Sequence, residues 1–301
     1  MIWLRTILVG SILLSTAAVS QDRVVSPQPQ VVTLGTTYRF TSRIMDDTRE
    51  VNIWLPPAHE RLGGSLPVVY LLDGGTEQDF VHVAGLANLA SLSATYGPMI
   101  VVGVQSVERR AEFTPRPSDP RYLAAFPESG HAQRFRRFLK EELIPFVESH
   151  IGRSGRRAVM GESLAGLFVV DTLLNEPALF QDYVAVSPSL WWDDRRPLRR
   201  LDNASRNIPA GTRLYLAMAD EGGTMQDGVD RLRTVAANRA GANLVIRYMD
   251  YGGEATHATV YHRAAEDALR WLYEAPPYDA GPTPWYMIDG ASPPKTVRPD
   301  R

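Results

Sequence analysis

The chain has 301 residues and 44% hydrophobic content, enough to bury a substantial core in one large α/β domain. Its 32 Lys+Arg nearly balance its 34 Asp+Glu, and the net charge of −2 offers no electrostatic case for nucleic acid or an acidic partner. Cysteine is absent, which excludes disulfides, thiol catalysis, zinc–thiolate sites and a lipidated cysteine at the N-terminus.

Residues 1–20 read as a secretory signal peptide: Arg5 follows the start, an apolar stretch runs over 6–19, and Ala18-Val19-Ser20 supplies small residues for cleavage before Gln21. That run is shorter than the roughly 20 residues a bilayer span needs, so the chain is expected to be secreted or periplasmic, with no stable membrane span after cleavage. After a polar entry at 21–30, two β-rich runs at 37–43 and 50–55 flank Asp46-Asp47 as a hairpin, and Pro56-Pro57 stops the second. Pro67-Val68-Val69-Tyr70-Leu71-Leu72 is a continuous apolar run that suits a strand covered on both faces, closed by Asp73-Gly74-Gly75.

A helix is expected over 80–92 and a second buried strand over 99–104. Further buried strands are expected at 157–160, 183–187, 214–218 and 244–249. The spacing of Phe135, Phe138, Leu139, Leu143, Phe146 and Val147 makes one apolar helical stripe, which Pro145 is expected to kink. Helical periods also cover 227–239 and 262–273. This alternation predicts a mostly parallel central sheet of about eight strands with helices on both faces, in a catalytic domain over 21–274. The tail, 275–301, is rich in Pro and Gly and expected to be irregular, with Trp285 and Tyr286 suggesting that part of it lies against the body.

Val159-Met160-Gly161-Glu162-Ser163-Leu164-Ala165-Gly166 has the pattern of a nucleophile elbow, a serine at the tip of a tight strand-to-helix turn. Residues two before and two after such a serine must be small for the chains to pass, and here they are Gly161 and Ala165. The same short pattern also recurs by chance in turns without chemistry. A serine hydroxyl needs a base, and His257, past the last strand and before the final helix, is placed to serve. His59, His131, His150 and His262 are assigned surface or structural roles, and His82 is a weaker candidate for lining a cleft.

The carboxylate that orients the imidazole is sought at Asp220-Glu221, just past the strand 214–218, with Asp250 and Glu254 as competitors. The amide of Leu164 is the first candidate oxyanion donor and Gly74-Gly75 the source of the second, although a glycine pair also serves as a plain tight turn. Trp191 and Trp192 are candidates for one wall of an acyl or aromatic pocket, with at least one of them in the core. Arg109 and Arg110, with 114–130, are candidates for a loop over the site that meets an anionic substrate, or for a solvated loop. This chemistry calls for no metal and no cofactor.

Leu66 to Gly75, Val101-Val102-Gly103-Val104, Arg110-Ala111-Glu112-Phe113-Thr114-Pro115, Glu142-Leu143-Ile144-Pro145-Phe146-Val147, the elbow and Ser187-Pro188-Ser189-Leu190-Trp191-Trp192-Asp193 together resemble the putative esterase family of α/β-hydrolases. That family includes siderophore (enterobactin-type) esterases, feruloyl and acetyl-xylan esterases and S-formylglutathione hydrolases, and the Ser-Pro-Ser-Leu-Trp-Trp run resembles the siderophore branch most. The resemblance covers about residues 35–274. It implies an α/β-hydrolase fold and a serine esterase acting on a small-molecule ester through an acyl-enzyme, with Ser163 as nucleophile, His257 as base and Glu221 as acid. Glu162 and Ala165 stand where the family commonly has His and Gly, and some siderophore-esterase relatives work without a usual acid. Acyl transfer to an alcohol is the alternative enzyme reading, and a non-catalytic binding module is the alternative class. If the leader is cleaved as read, intact-mass analysis of envelope fractions will show a chain beginning at Gln21, and retention of Met1 contradicts it.

Overall fold

The computed structural model describes residues 28–57, 59–62, 66–200, 207–239, 243–275, 281–290 and 292. The expected signal peptide and much of the tail lie outside the described residues. The chain divides into two units, Met1–Thr33, whose residues 28–33 are exposed coil, and Leu34–Arg301, which carries every element below.

Eight strands form one sheet: β1 (Thr36–Ser42), β2 (Asp47–Trp54), β3 (Val68–Leu72), β4 (Ile100–Val104), β5 (Arg157–Glu162), β6 (Asp182–Val186), β7 (Thr212–Met218) and β8 (Leu244–Asp250). Their order is β1-β2-β4-β3-β5-β6-β7-β8; β2 runs antiparallel to β1 and β4, and every other pairing is parallel. The first hairpin forms as its pattern predicts, with Ser42 opposite Asp47 and Thr36 opposite Ile53. Asp46 takes the left-handed position of its turn at φ 58°. All residues of β3, β4 and β6 are buried; β3 and β4 are uninterrupted apolar runs, while β6 opens on Asp182, whose buried carboxylate pairs with Arg156 and Arg213. Side chains alternate along β3: Val68, Tyr70 and Leu72 join a core with Phe113, Phe135, Phe138 and Phe168, while Val69 and Leu71 join Phe80, Val83 and Leu269 on the other face.

The helices are α1 (His59–Leu62), α2 (Phe80–Ser93), α3 (Arg109–Phe113), α4 (Pro120–Ala125), α5 (Ala132–Phe138), α6 (Ile144–Ile151), α7 (Leu164–Asn175), α8 (Trp192–Arg195), α9 (Gly223–Arg239) and α10 (Val260–Leu272). Helices α2 and α10 cover one face of the sheet; α5, α6, α7 and α9 cover the other. This is the α/β-hydrolase arrangement. The kink expected at Pro145 takes the form of a π-helical turn, Leu139–Leu143, between α5 and α6, in which the Ile144 amide donates to the Leu139 carbonyl. Proline supplies no N–H and crowds the carbonyl four residues back, and a widened turn makes room for it. The tail differs from expectation: Trp285 and Tyr286 sit in a short 3₁₀ turn, 42% and 69% exposed, and so are not packed into the body.

One buried ionic group ties the hairpin to the segment entering the site. Arg49 on β2 is buried between the rings of Phe135 and Phe138, donates to Asp47 and to the Gln105 carbonyl, and pairs with Glu112 at 3.0 Å. Glu112 also accepts from the amides of Val107 and Glu108, which fixes the start of α3. Arg49→Met is expected to leave this carboxylate buried without its cation and to cost about 3–5 kcal/mol in urea unfolding; a loss under about 1 kcal/mol contradicts this role for the pair.

Candidate active site

Ser163 is the junction of β5 and α7, at φ 59° and ψ −116°, a region L-residues rarely adopt. The small neighbours are required sterically, since a Cβ on Gly161 would lie 2.6 Å from that of Ala165. Three backbone hydrogen bonds pin the turn: Ser163 N–H to the Val186 carbonyl, and the Leu167 and Ser189 amides to the Ser163 carbonyl. The residues that directly follow β3 and β6, Asp73 and Ser187, also have positive φ, of 51° and 40°. Backbone strain therefore gathers along one edge of the sheet, at the carboxyl ends of its strands, where open α/β folds place their sites.

His257 stands in the turn entering α10, held by Val260 and Thr259 amides donating to the Thr256 carbonyl. Backbone bonds from Tyr251 to Met218 and from Asp220 to Ala255 bring this turn against the end of β7. There His257 Nδ1 meets Glu221 Oε1 at 2.8 Å, and only 9% of the Glu221 side chain is exposed. With Nδ1–H donating to the carboxylate, Nε2 is the basic nitrogen. The competing acids are engaged elsewhere: Asp220 is exposed, Asp250 accepts from the Gly252 amide, and Glu254 pairs with Arg263. The Glu221 hydrogen bond raises the His257 pKa above the ordinary histidine value of 6.5, against partial burial.

Beside these groups a guanidinium meets a cluster of carboxylates. Arg109 donates from Nε to Asp73 at 2.7 Å and from Nη2 to the Glu162 carbonyl at 3.1 Å. Burial pushes Glu162 up to about 7 and Asp79 up to about 6.

Ser163, Leu164, Glu221, His257, Arg110, Trp191 and Trp192 all line one cavity of about 450 Å³, together with Arg109, Phe126, Ser189 and Met225. The Arg110 guanidinium lies 4.8 Å from the Phe126 ring centre and pairs with Glu128 at 2.9 Å. Trp192 is the packing member of its pair, 1% exposed and bonded through its indole N–H to the Pro115 carbonyl; Trp191 is partly exposed. Ser189 was legible only as part of a recurring run, while Phe126 and Met225 carried no signal beyond being apolar.

Gly74 and Gly75 require a correction. The Gly74 amide donates to the Val104 carbonyl and the Gly75 amide to Gln78 Oε1. Both amides are thus engaged within the fold rather than free to meet an oxyanion in this arrangement. Glycine is needed at 74 for another reason: a Cβ there would lie 2.4 Å from the backbone of Gly103 and Val104. His82, the weaker cleft candidate, packs instead against His262 and Tyr261.

A family model described as Putative esterase matches residues 42–269. The chain is 31% identical over 190 residues to the ferri-bacillibactin esterase BesA of Bacillus subtilis, a match covering 56% of this chain and 63% of that protein. It thus spans slightly less than two thirds of that relative. An IroE-like serine hydrolase from Shewanella oneidensis superposes with a TM-score of 0.69 at 28% identity, covering 79% of this chain and 80% of the other. The BES protein from Bacillus cereus shares the fold, with a TM-score of 0.70 at 24% identity over 83% of this chain and 99% of that one.

A raised His257 pKa means that imidazolium persists to higher pH and that the basic form appears only above it. With His257 as the base of an ester cleavage, the acid limb of kcat/KM should lie above pH 6.5. Glu221→Gln should move that limb to lower pH and reduce kcat by up to about 10⁴; an unmoved limb with near-normal kcat removes Glu221 from the site.

Proposed function

Because the chain belongs to the Putative esterase family of α/β-hydrolases, we propose that it hydrolyses carboxylic esters with Ser163 as nucleophile, His257 as general base and Glu221 as the orienting carboxylate. One observation carries the reading: a serine held in a strained turn opens into the same cavity as an imidazole bonded to a nearly buried carboxylate at 2.8 Å. Ser163 Oγ attacks the ester carbonyl as its proton passes to His257 Nε2. The imidazolium, steadied by Glu221, then returns that proton to the departing alcohol. The amide of Leu164, first in α7, supports the negative oxygen from the helix N-terminus. Water repeats the sequence on the acyl-enzyme and frees Ser163.

The substrate we propose is an ester carrying aromatic and anionic groups. Phe126, Leu164, Trp191 and Met225 supply apolar wall, and Arg109 and Arg110, half-exposed and paired with Asp73 and Glu128, line the same cavity and can turn donors to an anionic group. The Bacillus relative is named for a ferri-siderophore, which supports catecholate trilactones as the first esters to assay. Residues 1–20 are proposed to direct export, on the Arg5 and apolar-run pattern described above. No helix among the described residues is long and apolar enough to cross a membrane.

Ser163→Ala is expected to abolish turnover and organophosphonate labelling with no change in folding, since it removes one hydroxyl from a turn that backbone bonds hold. The assay is a panel of aryl, feruloyl and acetyl-sugar esters and catecholate trilactones, run with and without an added alcohol to separate hydrolysis from transfer. Turnover retained in the folded variant refutes the mechanism.

A further inference from the structure

The run Ser187-Pro188-Ser189-Leu190-Trp191-Trp192 is built against the nucleophile turn. Ser187 turns the chain at φ 40°, and the tight approach of α7 places Pro188 Cα 3.0 Å from where a Gly166 Cβ would stand. The Ser189 amide then donates to the Ser163 carbonyl at 3.0 Å. As a result the Ser189 hydroxyl lies 3.3 Å from Ser163 Oγ, in a residue only 3% exposed. Among the described residues the partner of that hydroxyl is Ser163 Oγ. A buried hydroxyl costs stability unless it is hydrogen-bonded, and alanine would fill the same space without that cost.

Building on the esterase reading, we propose that Ser189 is a second hydroxyl of the catalytic centre, which holds the Ser163 side chain and donates a hydrogen bond to its oxygen as charge develops there. In acylation the bond from Ser163 Oγ to the ester carbonyl carbon forms and the bond from that carbon to the alkoxy oxygen breaks; the Ser163 proton goes to His257 Nε2 and from there to the departing alcohol, and Ser189 keeps its own proton while stabilising the attacking oxygen. In deacylation a water oxygen bonds to the acyl carbon as its proton passes to His257, the Oγ–carbon bond breaks, Ser163 Oγ recovers that proton, and the Ser189 hydroxyl stabilises the departing oxygen. No proton is lost from Ser189 at any step. A donor to a charged oxygen is stronger than one to a neutral oxygen, so the contribution is greatest in the transition state.

The test compares wild type, Ser189→Ala, Ser189→Thr and Ser163→Ala at equal folded fraction by circular dichroism. The readouts are p-nitrophenyl butyrate kinetics and the second-order rate of labelling by an alkyl fluorophosphonate, which reports the nucleophilicity of Ser163. Ser189→Ala should lower both kcat and the labelling rate by about ten- to a hundredfold with KM little changed. Ser189→Thr, which keeps a hydroxyl, should retain most of both. Labelling of Ser189→Ala at the wild-type rate overturns the proposal, as does a Thr variant that falls as far as Ala. A wild-type chain that is neither labelled nor active refutes the esterase reading and this one with it; normal wild-type labelling with an undiminished Ser189→Ala refutes this one alone.

Discussion

The turn at Ser163 is sterically expensive, and much of the surrounding architecture can be understood as holding it. A non-glycine residue at φ 59° costs on the order of 1–3 kcal/mol and persists only where its surroundings over-determine it. Here β5 delivers the chain with every residue from Ala158 to Gly161 buried, and α7 carries it away with Ala165 to Leu174 buried. Gly161 and Ala165 are small enough to pass each other, and backbone bonds from β6 and the loop after it close on the serine. The helix start that results also points amides toward the same spot, so the strain and the anion-binding geometry share one cause.

The second constraint is electrostatic. Glu162, next to Ser163 in the chain, shares a cluster with Asp73 and Asp79, and burial holds Glu162 and Asp79 toward their neutral forms while Arg109 offsets the charge. Arg109 is placed there by α3, whose start is fixed by Glu112, which in turn is paired with the buried Arg49. A chain of contacts thus runs from the β1–β2 hairpin to the cavity, linking an element far from the site in sequence to the Arg109 that lines it.

Histidine and carboxylate meet because β7 and β8 are parallel neighbours. Their carboxyl ends lie on one edge, and the loop bonds Tyr251 to Met218 and Asp220 to Ala255 draw the two turns together. Adjacent residues Asp220 and Glu221 then separate, the first exposed and the second nearly buried against the imidazole. The cavity beside them is lined by Ser163, Glu221 and His257 together with the apolar Phe126, Trp191 and Met225.

Every strand and the elbow could be read from the sequence, because each depends on local rules. Continuous apolar runs mark strands covered on both faces, a three-to-four spacing marks helices, and a serine between small residues marks a turn that excludes bulk. Pro145 announced a helix irregularity, which takes the form of a π turn rather than a break. The glycine pair after β3 showed that the backbone must approach something. Tertiary structure decided that Gly74 approaches Gly103 and Val104 and that both amides are already spent. Likewise Trp191 and Trp192 are alike in sequence and both line the cavity, and only burial shows that Trp192 is also a packing residue. The acid stood among four candidates because loop carboxylates share one local chemistry; the hydrogen bond at Glu221, the hydroxyl of Ser189 beside Ser163 and the carboxylate cluster around Arg109 arise from residues tens of positions apart, which meet only once the sheet has set which strand ends share an edge.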